Sequence, residues 1–198
     1  MGKRKKIEYL TLTWDDIYQL SLKLYEKVKK SGFEPDVIVG IARGGWMPAR
    51  ILSDLMDNPN LANVKAEFYL DVYKTMKKPM ITQSVSTSVE GKTVLVVDDV
   101  ADTGESLKLV KEHLITKGAS NVKIGCLHYK PWSILKPDYY VRETRAWVIY
   151  PWEYKESVVK IGKKLLEEGK RLKNVEDELV KIGLNRRLVR IFLKEAFS

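Results

Sequence analysis

Two adjacent carboxylates at the end of an apolar run are the residues of this sequence best placed to do chemistry. Val94-Leu95-Val96-Val97 leads directly into Asp98-Asp99-Val100-Ala101-Asp102-Thr103-Gly104-Glu105-Ser106. Four such apolar residues read as a buried strand, so the acids fall at its carboxyl end, where open α/β sheets gather their ligands. In the loop that follows, Gly104 permits close backbone approach. The amides there, with the hydroxyls of Thr103 and Ser106, face the start of a helix and suit a phosphate monoester. Acids beside a phosphate cradle make sense only if the ligand also offers hydroxyls or a metal mediates. A ribose 5-phosphate meets both conditions: its ring hydroxyls can donate to Asp98 and Asp99 while its phosphate takes the loop.

Other chemistry is scarce. The single cysteine, Cys126, lies in the apolar run Ile124-Gly125-Cys126-Leu127 and reads as a buried strand thiol. His113 and His128 stand without metal-ligand spacing, which argues against a zinc site. The formal charge of +9 suits a polyanionic partner, either a phosphorylated small molecule or nucleic acid. No apolar run is long enough to span a membrane, and the basic start Met1-Gly2-Lys3-Arg4 leads into no signal-peptide core, so a soluble, cytoplasmic protein is expected.

The elements that must position these residues alternate. Thr13 caps a helix with an acidic first turn, in which Ile17, Leu20, Leu24 and Val28 share a face up to Ser31-Gly32. Asp36 to Ile41 is a buried strand ending at Arg43-Gly44-Gly45, and Trp46 to Met56 a helix. From Val64 to Val72 the residues alternate, with Val64, Ala66, Phe68, Leu70 and Val72 on the apolar face of a half-exposed strand. Lys74 to Gly91 is polar and aperiodic, a long loop or a mobile hairpin. Thr93 to Val97, Ser106 to Lys117 and Asn121 to Leu127 then read as strand, helix and strand, the grammar of a mainly parallel α/β sheet flanked by helices. Tyr139–Val141 and Ala146–Ile149 are short β-like stretches, and from Tyr154 onward the pattern is wholly helical. The boundary is therefore placed between a domain of residues 1–153 and a helical C-terminal extension of residues 154–198.

The strand followed by Asp-Asp-Val-x-Asp-Thr-Gly-x-Ser resembles the signature of type I phosphoribosyltransferases, which bind 5-phosphoribosyl-1-pyrophosphate (PRPP) with magnesium. Ala42-Arg43-Gly44-Gly45 is similar to the family's pyrophosphate loop, which implies a cis peptide between Ala42 and Arg43. Lys130-Pro131, Asp138 to Val141, Trp147 and Pro151-Trp152-Glu153 resemble, in order and spacing, bacterial xanthine-guanine phosphoribosyltransferases and short archaeal purine relatives, so the likeness covers about residues 8 to 153. It implies the type I fold with a small hood, and transfer of phosphoribosyl from PRPP to a purine base, giving a purine nucleoside monophosphate and pyrophosphate. Residues Ala42 to Gly45 and Asp98 to Ser106 would hold PRPP. Asp102 would exchange a proton with the purine N7. Lys130 would donate to the exocyclic oxygen, while Trp147 and Val148 meet the ring. Tyr73 and Lys74 would begin a segment, to Ser88, that closes over PRPP. Mg2+ would be held at Asp98 and Asp99 mainly through ribose hydroxyls or water, with Glu153 a further ligand.

Two positions depart from the pattern: Ile149 stands where the xanthine-guanine enzymes place an acid, and Val72 precedes Tyr73 where many relatives have Ser. A lysine has only donors, which favours hypoxanthine or guanine over adenine. An adenine enzyme evolved from a 6-oxopurine enzyme is the alternative within the class. Outside it, Ile182 to Arg190 could pass for a helix-turn-helix with a basic final helix, as in a PRPP-sensing transcription regulator. The extension carries 12 basic and 7 acidic residues, in three apolar stripes that predict three short helices. The expected assembly is a homodimer or homotetramer, without membrane or nucleic acid as partner.

Overall fold

The computed structural model describes residues 7–70 and 77–197. Among the described residues fifteen elements follow one another, and contacts divide the chain into two compact units, residues 17–144 and residues 1–16 with 145–198. Among the described residues no helix is long and apolar enough to cross a membrane.

The chain opens with β1 (Tyr9–Thr11) and α1 (Trp14–Lys30). Thr13 and Asp16 form a reciprocal cap: the Asp16 carboxylate accepts the Thr13 amide at 2.9 Å, and the Thr13 hydroxyl accepts the Asp16 amide at 3.2 Å. Such a cap stabilises a helix start by about 1 kcal/mol. The predicted stripe of Ile17, Leu20, Leu24 and Val28 is buried.

The larger unit then contains β2 (Val37–Ala42), α2 (Trp46–Leu55), β3 (Leu61–Leu70), β4 (Lys77–Gln83), β5 (Thr93–Ala101), α3 (Glu105–Thr116), β6 (Asn121–Tyr129) and β7 (Tyr139–Glu143). They build a six-stranded sheet in the order β4-β3-β2-β5-β6-β7, parallel except for β4. Its core, from Val39 and Val96 to Leu107, Val110 and Ile124, joins the central strands to α3. Adjacent strands β2 and β5 lead away to opposite sides, to β3 and to β6, which leaves a crevice at their carboxyl ends.

Three expectations need adjustment. The polar stretch after Lys74 contains β4, antiparallel to β3, so the hairpin is right for that part; Tyr73 and Lys74 themselves lie outside the described residues. β4 is an edge strand, where Pro79 removes no needed donor and lysines are tolerated. Phe68, expected on the buried face, is 43% exposed, past an irregularity in register at Lys65 and Ala66. β5 does not stop at Val97 but runs to Ala101, carried by pairing with Cys126 to Tyr129 on β6.

The smaller unit pairs β1 in parallel with β8 (Trp147–Ile149), Tyr9 opposite Trp147. A 3-10 turn (Pro151–Glu153) leads into α4 (Tyr154–Glu167), α5 (Leu172–Lys181) and α6 (Arg186–Phe197), the three helices predicted from the apolar stripes. Ile149, Val158, Ile161, Val175, Leu179, Val189 and Leu193 make its own core. Gly183 (φ 97°) brings the α5–α6 turn against Thr11, whose hydroxyl donates to the Ile182 carbonyl at 2.5 Å.

Candidate active site

β2 accompanies β5 only as far as the pair Gly40↔Val97. Beyond it β2 stays paired with β3 as far as Ala42↔Lys65, and the turn Arg43-Gly44-Gly45 then fills the space beside the acids. The Ala42–Arg43 peptide is cis, as the resemblance implied. A Cβ on Gly44 would fall 2.0 Å from Oδ2 of Asp99, and one on Gly45 would fall 2.3 Å from the Val97 carbonyl. No side chain fits at either position, so two backbone segments meet at van der Waals distance around the carboxylates.

Asp99 is buried, and its Oδ1 accepts the Val100 amide at 2.7 Å; Asp98 Oδ1 accepts the Asp99 amide at 3.0 Å. Burial, reinforced by the charge of Asp99, holds the Asp98 carboxyl well above the usual carboxylate range. Burial beside these two acids also pushes the Cys126 thiol up, so it is an inert neighbour of the acids, fully buried as its sequence context predicts. Two adjacent carboxyl groups, Asp99 buried and Asp98 half-buried, suit donation from ligand hydroxyls or a divalent cation. Among the described residues no three His, Cys, Asp or Glu side chains gather into a metal cluster.

The loop after β5 is built on Gly104, whose φ of 82° is open to glycine and which precedes α3. Asp102 and Thr103 are exposed, while Glu105 and Ser106 are half-buried in the first turn of α3, so the amide end of that helix faces the loop. Arg43 is exposed at the neighbouring turn.

Lys130, 5% exposed, follows β6, and its amide donates to the Ala101 carbonyl at 3.0 Å. Burial draws its ammonium below the usual lysine range, and the charge of Asp102 opposes that shift. The structure therefore brings Lys130, Asp102, Asp98, Asp99 and the Arg43 turn to one edge of the larger unit's sheet. Nearby, fully buried His128 is lowered to about 4 by burial first, then by the charges of Arg142 and Lys130.

Trp147, Val148 and Glu153 belong to the smaller unit. Trp147 is half-buried against that unit's core, with the Lys160 ammonium 4.6 Å from its ring centroid and Tyr9 at 6.4 Å. Glu153 closes the 3-10 turn by accepting the Tyr150 amide at 3.4 Å.

One neighbour of the site escaped the sequence pattern. The indole N–H of Trp132 donates to Oδ1 of Asp102 at 3.0 Å, and its ring lies 5.5 Å from the Lys130 ammonium. The available signal was an aromatic residue one step beyond Lys130-Pro131.

A family model for the phosphoribosyl transferase domain matches residues 12–160. The xanthine-guanine phosphoribosyltransferase of Gluconobacter oxydans is 30% identical over 149 residues, 74% of this chain and 86% of that protein. Among solved structures, the purine phosphoribosyltransferase of Pyrococcus horikoshii is 40% identical, with a TM-score of 0.66 over 74% of this chain and 94% of the other. The transcriptional regulator GfcR of Thermoplasma acidophilum is 35% identical over 99 residues, 49% of this chain and 45% of the regulator.

Proposed function

This chain belongs to the phosphoribosyl transferase family, and from that premise we propose that it transfers the 5-phosphoribosyl group of PRPP to a 6-oxopurine, hypoxanthine or guanine, releasing pyrophosphate. The observation that carries this reading is the adjacent acid pair Asp98 and Asp99, walled by Gly44 and Gly45 at the sheet's crevice, with Lys130 beside Asp102.

In this assignment the ribose hydroxyls donate to Asp98 and Asp99. The amides from Ala101 to Ser106, with the hydroxyls of Thr103 and Ser106, take the 5-phosphate. Arg43 and the amide of Gly44 take the pyrophosphate, where negative charge grows as the bond to C1 breaks, while the Gly45 amide holds the turn by donating to the Ile41 carbonyl at 2.9 Å. Mg2+, when bound, neutralises part of that charge and screens the acids from the polyanion. The purine N9 attacks C1, and Asp102 accepts or returns the N7 proton. Lys130 donates to O6; adenine presents a donor there, which a lysine cannot satisfy. For the ring itself the family resemblance offers Trp147 and Val148.

The test is nucleotide formation from PRPP with adenine, hypoxanthine, guanine and xanthine in parallel. Hypoxanthine and guanine should exceed adenine by about 10-fold or more in kcat/KM, the worth of one satisfied polar contact. A preference for adenine overturns the base assignment and leaves the transfer chemistry standing.

Likeness to GfcR favours a second reading, a PRPP-sensing regulator. Against it, Arg186 is engaged by Glu176 and Asp177 at 2.6 and 3.1 Å, and Arg190 by Glu176 at 2.9 Å, so these arginines of the basic helix already have acidic partners. A gel shift on duplex DNA at physiological salt should show no complex; a PRPP-dependent shift would support the regulator.

A further inference from the structure

We propose that Trp132 is a positioning residue for the transfer reaction, fixing the Asp102 carboxylate through its indole N–H and spacing Asp102 from Lys130. The inference rests on the roles proposed above for these two residues.

The segment after β6 is fastened along the phosphate loop residue by residue. The Lys130 amide donates to the Ala101 carbonyl at 3.0 Å, the Trp132 indole to the Asp102 carboxylate at 3.0 Å, and the Ile134 amide to the Thr103 carbonyl at 2.9 Å. Gly104 completes the seam, since a Cβ there would come within 2.4 Å of the Ser133 hydroxyl. Alternate residues of one segment thus take up successive residues of the other. At the second step alone the contact is made by side chains, and there it falls on the proposed acid–base group.

An exposed aspartate on a loop turns freely about two side-chain bonds, whereas proton transfer tolerates only about 0.5 Å of misplacement. The indole occupies Oδ1, so the other oxygen, Oδ2, is the one assigned to the purine proton. The same ring lies 5.5 Å from the Lys130 ammonium, within the range of a cation–π contact. N7 and O6 of a 6-oxopurine lie on one edge of the base, so the groups that read them must keep a fixed separation. Trp132 touches both. Its 49% exposure is high for an indole, as expected of a ring kept at a site mouth.

Trp132→Phe keeps an aromatic ring near Lys130 and deletes the donor. It should lower kcat with hypoxanthine about 10-fold, leave the KM for PRPP within twofold, and leave Tm unchanged, because the residue is exposed. Trp132→His, which can donate, should recover part of the rate. Asp102→Asn serves as the control for the function itself. If Trp132→Phe keeps the wild-type kcat while Asp102→Asn is impaired, the positioning role is overturned. If it raises only the KM for the base, the ring rather than the N–H acts, and the proposal is equally overturned. If Asp102→Asn itself retains the wild-type rate, the acid–base reading falls instead.

Discussion

Gly44 rests on the carboxylate of Asp99 so closely that a single added methyl would lie 2.0 Å from Oδ2. The obstacle is a buried acid whose Oδ1 is already tied to the Val100 amide, so the side chain cannot simply swing away.

Gly44→Ala should therefore displace either the arginine turn or the acid. We expect the KM for PRPP to rise about 10-fold or more, with a stability loss of about 1–3 kcal/mol from overpacking. Steady-state kinetics with PRPP varied, beside urea denaturation, checks both. Wild-type values in both would mean that the turn and the acid are not held together.

Asp98 and Asp99 set two carboxyl groups side by side, the second of them buried. Asp98→Asn removes one charge and should raise the Tm of the ligand-free protein by about 2–4 °C, near 1 kcal/mol for a chain of this size. The same change should weaken PRPP binding about 10-fold. Thermal melts with and without PRPP decide: the variant should start higher and gain less on adding substrate.

His128 makes stability depend on pH. Its folded value of about 4 lies below the unfolded value of 6.5, so the native state favours the neutral ring. The stability it contributes is fully present above about 6.5 and is lost as pH falls toward 4, amounting to roughly 3 kcal/mol over that window. Asp98, raised rather than lowered, acts in the opposite sense, and its contribution is lost as pH rises. Urea denaturation from pH 7.5 down to 4.5, for wild type and His128→Gln, isolates the histidine. The variant should show the shallower fall below pH 6.5; parallel curves would remove His128 from the account.

Leu193 fills the core of the smaller unit, where a Cβ on Gly162 would meet its Cδ2 at 3.0 Å. Leu193→Ala should cost about 2–4 kcal/mol of that unit's stability, and Leu193→Asp more. Because Trp147 packs on the same core, its fluorescence should shift to the red in Leu193→Asp as proteolysis within residues 154–197 accelerates. Unchanged protection would show that the core does not depend on this side chain.

Legibility in the sequence followed locality. Asp98 to Ser106 could be read because an apolar run, a loop and a helix start stand contiguous in the chain. The helices could be read because Val158, Ile161, Val175, Leu179, Val189 and Leu193 recur at helical spacing and are buried as that spacing requires. What escaped depends on partners far along the chain. β4 is strand by virtue of pairing with β3, and its lysines and Pro79 disguise it. The overrun of β5 to Ala101 depends on β6, since aspartate is a poor strand former by itself. The contact between Trp132 and Asp102 joins residues 30 apart, from a segment bracketed by Pro131 and Pro137 that has no period to read.

The parallel pairing of Tyr9–Thr11 with Trp147–Ile149 dictates an order of assembly. During synthesis β1 leaves the ribosome long before its partner exists, and all of residues 17–144 intervene. The larger unit has every described strand of its sheet in hand by Glu143, whereas the β1–β8 pair of the smaller one must close across the whole of that interval before it can form. Until then a short strand with open hydrogen-bonding edges stays unpaired, the kind of segment that chaperones shield.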